Sequence, residues 1–498
     1  MPAVVVSSGG DKQFEGKITV YVVICGIIAA TGGLMFGYDI GISGGVTSMD
    51  DFLERFFPKV FERKHMAKEN NYCKFDNQNL QLFTSSLYLA ALVSSFIASK
   101  VCTKCGRKIT MQAASIFFLL GVIFDAFALN IAMLIIGRIL LGVGAVPLFL
   151  SEIAPVHLRG ALNILFQLDV TIGIFVANIV NYFVANIHPW GWRLALGLAG
   201  VPAIMLCFGS FIIAETPTSL IEREMLTEGL AMLKKIRGVD NVQAEYEELL
   251  HASEMARQVE NPFKNLMKRS SRPQLVIAIS MQIFQQFTGI NAIMFYAPVL
   301  FQTMGFKNDA SLLSAVITGI VNVLSTIVSV VLVDKAGRRF LLLEACVQMF
   351  ITQVAIGGIL LVNLKSTNEI DHTLATWVVV LVCLYVASFA WSWGPLGWLI
   401  PSEIFPLSTR TAGFAFAVSS NMFFTFVIAQ AFLSMMCHMR AGIFFFFGAW
   451  IVVMGLFVIF LLPETKNIPI DEMTEVWKQH WFWKRFMDED TKDEKAKN

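Results

Sequence analysis

Gly137-Arg138-Ile139-Leu140-Leu141-Gly142-Val143-Gly144-Ala145-Val146-Pro147-Leu148-Phe149-Leu150-Ser151-Glu152-Ile153-Ala154-Pro155-Val156-His157-Leu158-Arg159 decides how this chain is read. The stretch opens with an arginine set among apolar residues and closes in Ser-Glu-Ile-x-Pro-x-x-x-Arg. That phrase returns as Ser402-Glu403-Ile404-Phe405-Pro406-Leu407-Ser408-Thr409-Arg410. A phrase repeated about half a chain later marks an internal duplication. Two further pairs agree: Gly106-Arg107-Lys108 with Gly337-Arg338-Arg339, and Glu215-Thr216-Pro217 with Pro463-Glu464-Thr465-Lys466.

The 498 residues are 56% hydrophobic and only 15% charged, with a mean hydropathy of +0.64. Soluble domains carry about 25% charged residues. The deficit lies in long apolar runs, among them 18–37, 82–99, 111–129, 194–214, 310–333, 340–362, 377–400, 412–432 and 443–462. Runs near 20 residues can cross ~30 Å of hydrocarbon as helices. With the opening stretch and the more polar runs included, the chain reads as an all-α membrane protein of twelve transmembrane helices in two six-helix halves. The first apolar run has the length of a mature helix rather than a cleaved leader. A net charge of +1 gives no reason to expect nucleic acid as a partner.

Lys100, Lys104, Arg107 and Lys108 crowd one short loop, and Lys335, Arg338 and Arg339 another, with Arg159 and Arg410 on the same side. By the positive-inside rule that side is cytosolic, as are both termini. The expected organisation is a polar, disordered cytosolic tail over 1–17, a first half over 18–214 and a charged cytosolic helical linker over 215–272. A second half over 273–463 and a cytosolic tail over 464–498 complete it. Within the external loop 43–79, Phe52, Phe56, Phe57, Val60 and Phe61 recur at helical spacing over 49–68. They suggest either an amphipathic helix lying over the outer mouth or a plain surface helix. Cys73 and Cys437 both fall in external loops, where a disulfide would persist. The Cys102-x-x-Cys105 pair lacks companion ligands, and neither a metal nor a cofactor is expected.

All seven histidines lie in loops or at helix ends, so any protons that move must be carried by carboxylates. Intramembrane acids are functional candidates because a bare charge there costs at least ~2.5 kcal/mol. Asp39 sits in the first span, and its natural partner is Arg138. An acid paired with arginine stays ionised, and loss of the contact lets it bind a proton. The pair therefore reads as a proton switch or as a fixed structural ion pair. Asp169 lies near mid-bilayer without a clear role, while Asp125 and Glu344 are expected near water.

In the second half Gln282, Gln285, Gln286, Thr288, Asn291, Asn322, Asn421 and Thr425 make spans too polar to face lipid. Amides donate and accept together, which suits a neutral polyhydroxyl ligand; the alternative is that some bond helix to helix. Trp391, Trp393 and Trp398 could stack on the apolar face of a sugar ring. No nucleophile–base set or metal-ligand cluster argues for an enzyme.

Together the doubled Ser-Glu-Ile-x-Pro-x-x-x-Arg, the Gly-Arg-Lys and Gly-Arg-Arg loops, Gln285-Gln286-x-x-Gly289-x-Asn291 and Pro463-Glu-Thr-Lys466 resemble the sugar porter branch of the major facilitator superfamily. Phe36-Gly-Tyr-Asp39, Trp391-Ser-Trp-Gly-Pro-Leu-Gly-Trp398 and Trp477-Lys-Gln-His-Trp-Phe-Trp483 resemble its plant sugar transport protein members, which are hexose–proton symporters of the plasma membrane. The resemblance implies the major facilitator fold, alternating access, a monosaccharide and protons as partners, and a monomer in the lipid bilayer. It implies that Phe36, Gln167, Gln285, Gln286, Asn291, Asn322, Trp398, Asn421 and Thr425 line the sugar site, and that Asp39 and Arg138 couple the proton. Arg107, Glu152, Arg159, Arg338, Glu403 and Arg410 would form a cytosolic latch, and Cys73 and Cys437 would staple an external lid.

The chain departs from that family in span 4, where the pattern has roughly six more residues between Gly144 and Ala145, about 9 Å and 240° of helix. The outer part of span 4 is then pulled inward, or its cytosolic end unwinds, or Arg138 no longer meets Asp39. Three readings follow: a proton-coupled hexose importer, an uncoupled sugar facilitator, and a transport-dead sugar-binding or sensor variant.

Overall fold

A computed structural model describes residues 4–8, 12–16, 20–65, 71–144, 159–213, 215–258, 262–303, 306–363, 372–466, 468 and 473–487. The 1–17 stretch is not featureless. β1 (Val4–Ser8) pairs antiparallel with β2 (Lys12–Gly16), Val6 opposite Phe14. The signal was available in two short β-compatible runs flanking Gly9-Gly10,.

The first half runs through α1 (Val20–Val46), then the short α2 (Asp50–Phe56) and α3 (Pro58–His65). It continues with α4 (Gln78–Cys105), α5 (Arg107–Ala126), α6 (Ile131–Gly144), α7 (Arg159–Val184), α8 (Gly191–Gly197) and α9 (Gly200–Ile212). The linker holds α10 (Pro217–Glu222), α11 (Leu226–Arg237), α12 (Gln243–Gln258) and α13 (Pro262–Leu266). The second half comprises α14 (Arg272–Phe287), α15 (Ile290–Thr303), α16 (Asn308–Ala336), α17 (Arg338–Asn363), α18 (His372–Trp391), α19 (Trp393–Ile404), α20 (Leu407–Met439) and α21 (Gly442–Phe460). α22 (Met473–Gln479) and α23 (Lys484–Met487) close the described chain.

Among the described residues, ten helical segments are long and apolar enough to cross a membrane, some formed from two consecutive helices. The 27-residue α1 and the 14-residue α6 complete the expected order of spans. Helices satisfy their own backbone groups, which is what hydrocarbon demands. Packing is closest between α1 and α7, where Gly33, Gly37 and Gly41 form a small-residue stripe at four-residue intervals,. A Cβ on Gly37 would lie 2.0 Å from the Val170 carbonyl oxygen, so only glycine lets the two backbones meet there. This seam fixes the level of Asp39.

The duplicated motifs meet in space. Gly106 (φ +91°) and Gly337 (φ +88°) turn the chain into α5 and α17 through a backbone conformation that other residues rarely adopt,. At α5, Glu215 accepts from the Arg107 and Lys108 amides (2.8 and 3.3 Å). At α17, Glu464 accepts from the Arg338 and Arg339 amides (both 3.0 Å). A carboxylate at a helix N-terminus satisfies orphan N–H groups and opposes the positive end of the dipole. The two halves use the same device at equivalent turns.

The linker has its own small core of Ile221, Leu233, Val242 and Tyr246, braced by a two-pronged Arg237–Glu245 ion pair. On the external side, α4 meets α20 through Ser85 Oγ donating to Gln430 (2.6 Å) and Gln78 and Gln81 donating to Ser434 (2.9 and 3.0 Å). Cys73 and Cys437 are disulfide-bonded, joining the segment before α4 to α20.

Over the described residues 49–65 of the stretch expected to form one helix there are two. The first ends at Phe56, and α3 restarts on Pro58, which lacks the amide needed to continue the ladder,. Phe52, Phe56, Phe57 and Val60 are all buried. Phe52 packs on Phe83 of α4 (5.3 Å between centroids), and Phe56 packs edge-on against Trp192 of α8 (5.3 Å).

Candidate functional site

Asp39 and Arg138 meet. Arg138 Nη1 donates to Asp39 Oδ1 at 2.5 Å and Nη2 to Ser43 Oγ at 3.1 Å. Both side chains are buried, with relative exposures of 5% and 1%. The Phe83 ring lies over the guanidinium at 4.2 Å from its centroid, a cation–π contact,. Because Phe52 rests on Phe83, the external helices cap the pair through one intervening ring. Of the three outcomes expected from the shortened span 4, the separated pair is excluded. α6 ends at Gly144, and the segment after it, with Glu152, lies outside the described residues.

Asp125 is not near water. It is 1% exposed, and its Oδ2 lies 3.5 Å from Arg138 Nε. The sequence placed it at the outer end of its span but could not show that α5 turns it onto α6. Glu344 is half-buried and accepts from Trp391 Nε1 at 3.0 Å.

The second candidate site gathers where spans break. α14 stops at Phe287 and α15 restarts at Ile290 across Gly289 (φ +85°); α18 stops at Trp391 and α19 restarts at Trp393 across Ser392. Discontinuous helices of this kind line ligand sites in transporters. Gln282 donates to the Gly397 carbonyl (2.6 Å) and Gln285 to those of Trp393 and Gly394 (both 3.0 Å). Asn421 donates to Gln282 Oε1 (2.7 Å) and Gln285 Oε1 (2.8 Å), and Thr425 donates to the Asn421 carbonyl (2.8 Å). Three amides thus knit α14 to α19 and α20, as the helix-bonding alternative requires. Asn291 donates to Gln286 Oε1.

Asn322, on α16, is 2% exposed, and its Oδ1 has no hydrogen-bond partner among the described residues. Gln167 is half-buried on α7, which packs against α16 and α19. Trp398 is half-buried on α19. Phe36 is half-buried and meets Tyr88 edge-on at 6.4 Å. Two of the three tryptophans are otherwise engaged. Trp393 is fully buried with its ring edge-on to Phe284, and the Trp391 indole is committed to Glu344. Trp398 alone of the three is left for ring stacking. Asp169 is half-buried on the α7 face against Gly33, where a Cβ on that glycine would lie 3.1 Å from its own Cβ.

Among the residues expected to form a latch, Arg338 donates to Glu403 Oε1 at 2.8 Å, and Glu403 Oε2 accepts from Thr465 at 2.6 Å. Arg107 pairs with Glu222 of the linker at 2.9 Å. Arg410 is half-buried on α20. Arg159 begins α7, but its side chain lies outside the described residues.

Comparison with known proteins follows the geometry. The family model "Sugar (and other) transporter" matches residues 25–477. The chain is 67% identical to Sugar transport protein 8 of Arabidopsis thaliana over 99% of both chains. It is 66% identical to Sugar transport protein MST4 of Oryza sativa subsp. japonica over 97% of this chain and 95% of that one. The fold superposes on the major facilitator superfamily proton:xylose symporter XylE bound to 6-bromo-6-deoxy-D-glucose with a TM-score of 0.78 at 23% identity, covering 93% of this chain and 100% of that one. An inward-open XylE from E. coli gives 0.72 at 23% identity, covering 91% and 99%. At these identities the structural likeness shows the fold.

Proposed function

The chain belongs to the family of sugar transporters, and from that premise we propose that it imports hexoses together with protons across the plasma membrane by alternating access. It is a multi-pass membrane protein of the major facilitator fold, a transporter and not an enzyme. The observation that carries the coupling is the buried 2.5 Å contact between Arg138 and Asp39. While the contact holds, Asp39 is an ion; when it opens, the carboxyl in its dry surroundings takes a proton. Opening is tied to the packing of α1 on α7 and to the external cap, so the proton state follows the conformation. The related symporter of similar fold, described as carrying protons with xylose, supports the same class of chemistry.

The amide cluster supports a neutral, hydroxyl-rich substrate. Asn322 Oδ1 is a buried acceptor that a sugar hydroxyl would satisfy, Gln286 and Asn291 flank the break between α14 and α15, and Trp398 and Gln167 lie on α19 and the α7 packed against it. The Arg107–Glu222 and Arg338–Glu403 pairs serve as the cytosolic latch, and the Cys73–Cys437 bridge holds the external lid. Both termini lie in the cytosol, and the monomer suffices. The uncoupled alternative would follow from a displaced Arg138, and the Arg138–Asp39 pairing supports the coupled reading instead.

The test is uptake of radiolabelled glucose by transporter-deficient cells at acidic and neutral external pH, with and without a protonophore. Uptake should rise in acid and collapse with the protonophore. Uptake indifferent to both supports a facilitator; no uptake with normal surface protein supports a transport-dead variant.

A further inference from the structure

Asp125 has no part in the scheme above, yet it shares the same arginine, and its role rests on the coupling reading. Arg138 stands between two acids, with Nη1 on Asp39 at 2.5 Å and Nε 3.5 Å from Asp125 Oδ2. Neither Asp125 oxygen nor Arg138 Nε has a hydrogen bond among the described residues. The two groups face each other just beyond bonding distance, so a shift of under ~1 Å would join them. The site is shaped for the approach: a Cβ on Gly137 would lie 2.2 Å from Asp125 Oδ1. The other groups facing the cluster are Ser43, the Phe83 ring and the Tyr38 and Tyr88 phenols, with Tyr296 beyond Tyr88. Phenols ordinarily titrate near about 10 and do not exchange protons in the physiological range.

Charge counting then assigns a role. Were Asp39 the only acid, its protonation would leave the Arg138 guanidinium buried without a counter-ion, which is strongly unfavourable. A carboxylate at Asp125 makes the protonated state neutral, with Asp39 as the acid and Arg138 paired to Asp125. We propose that Asp125 is a positioning residue for coupling, which receives Arg138 when Asp39 takes up a proton and returns it when Asp39 releases that proton to the cytosol. One proton enters Asp39 outside and leaves it inside, and Arg138 changes partner with each transfer.

The test is the external pH dependence of initial glucose uptake by the full chain, read as the proton concentration giving half-maximal rate and normalised to surface protein. Asp125→Asn should move that midpoint about one pH unit or more toward acid, since it removes the acceptor that makes proton uptake cheap. Asp125→Glu should keep the wild-type midpoint. Asp125→Ser, smaller and also uncharged, carries the same expectation as Asp125→Asn should the latter fail to reach the surface. An unshifted midpoint in either uncharged variant, with wild-type uptake still proton-dependent, overturns this proposal alone. Failure of both to reach the surface while Asp125→Glu behaves normally assigns Asp125 to folding and also overturns it. Wild-type uptake indifferent to pH and protonophore sinks the coupling reading and this inference with it.

Discussion

Asp39→Asn replaces the proposed proton carrier with a side chain of equal size that cannot ionise. Concentrative uptake should vanish while exchange of sugar between preloaded and external pools continues; concentrative uptake at the wild-type level contradicts the assignment. Asn322→Ala removes one of the proposed side-chain contacts to the substrate and leaves the helix ties intact. One neutral hydrogen bond is worth about 0.5–1.5 kcal/mol, so KM should rise about 2- to 12-fold with kcat nearly unchanged. A fall in kcat with KM unchanged would place Asn322 outside the sugar site. The Asp39–Arg138 partnership was legible in the sequence because each is the rare charge in its apolar run. Asp125 was not, since depth along a helix is readable but rotation about its axis toward α6 is not. Trp393 was misjudged for a similar reason: an indole next to a helix break is equally suited to stacking and to core packing.

At the scale of elements, the carboxylate caps of α5 and α17 and the external helix pair carry distinct expectations. Glu464→Ala removes two amide contacts at an N-terminus and should lower stability by about 1–2 kcal/mol. A thermal unfolding midpoint equal to wild type in detergent would deny the cap its role. In the lid, Asp50 bonds Lys64 at 2.8 Å, and Lys64 also donates to the Ser48 carbonyl. Burial pushes Asp50 up, but its hydrogen bond to Lys64 and the charges of Lys64 and His65 outweigh that and hold it below the usual carboxylate range. A depressed carboxylate contributes stability above its unfolded pKa and loses it only as pH falls through the folded value. The lid should therefore resist external protease equally at neutral and mildly acidic pH, and Asp50→Asn should weaken it at both. Greater cleavage of the wild type on mild acidification alone would contradict this. The burial pattern of the lid was visible in its phenylalanine spacing. Its break was marked by Pro58 and passed over because the apolar period runs through it.

Across the whole molecule, duplication explains why motifs far apart in sequence share a chemistry: each Gly-Arg turn is capped by the acid that ends its own half. The phrase at Ser402–Arg410 and its counterpart at Ser151–Arg159 made the two-half architecture legible before any coordinates. What sequence could not decide was the effect of the shortened span 4, because a bundle can yield at either end of a helix. The structure keeps Arg138 on Asp39. The central claim is that this contact couples sugar to protons, and the most direct measurement is proton movement itself. Glucose added to weakly buffered cells expressing the chain should produce a transient alkalinisation of the medium that tracks uptake and is lost in Asp39→Asn. Sugar entry by the wild-type chain with no accompanying pH change would contradict the account.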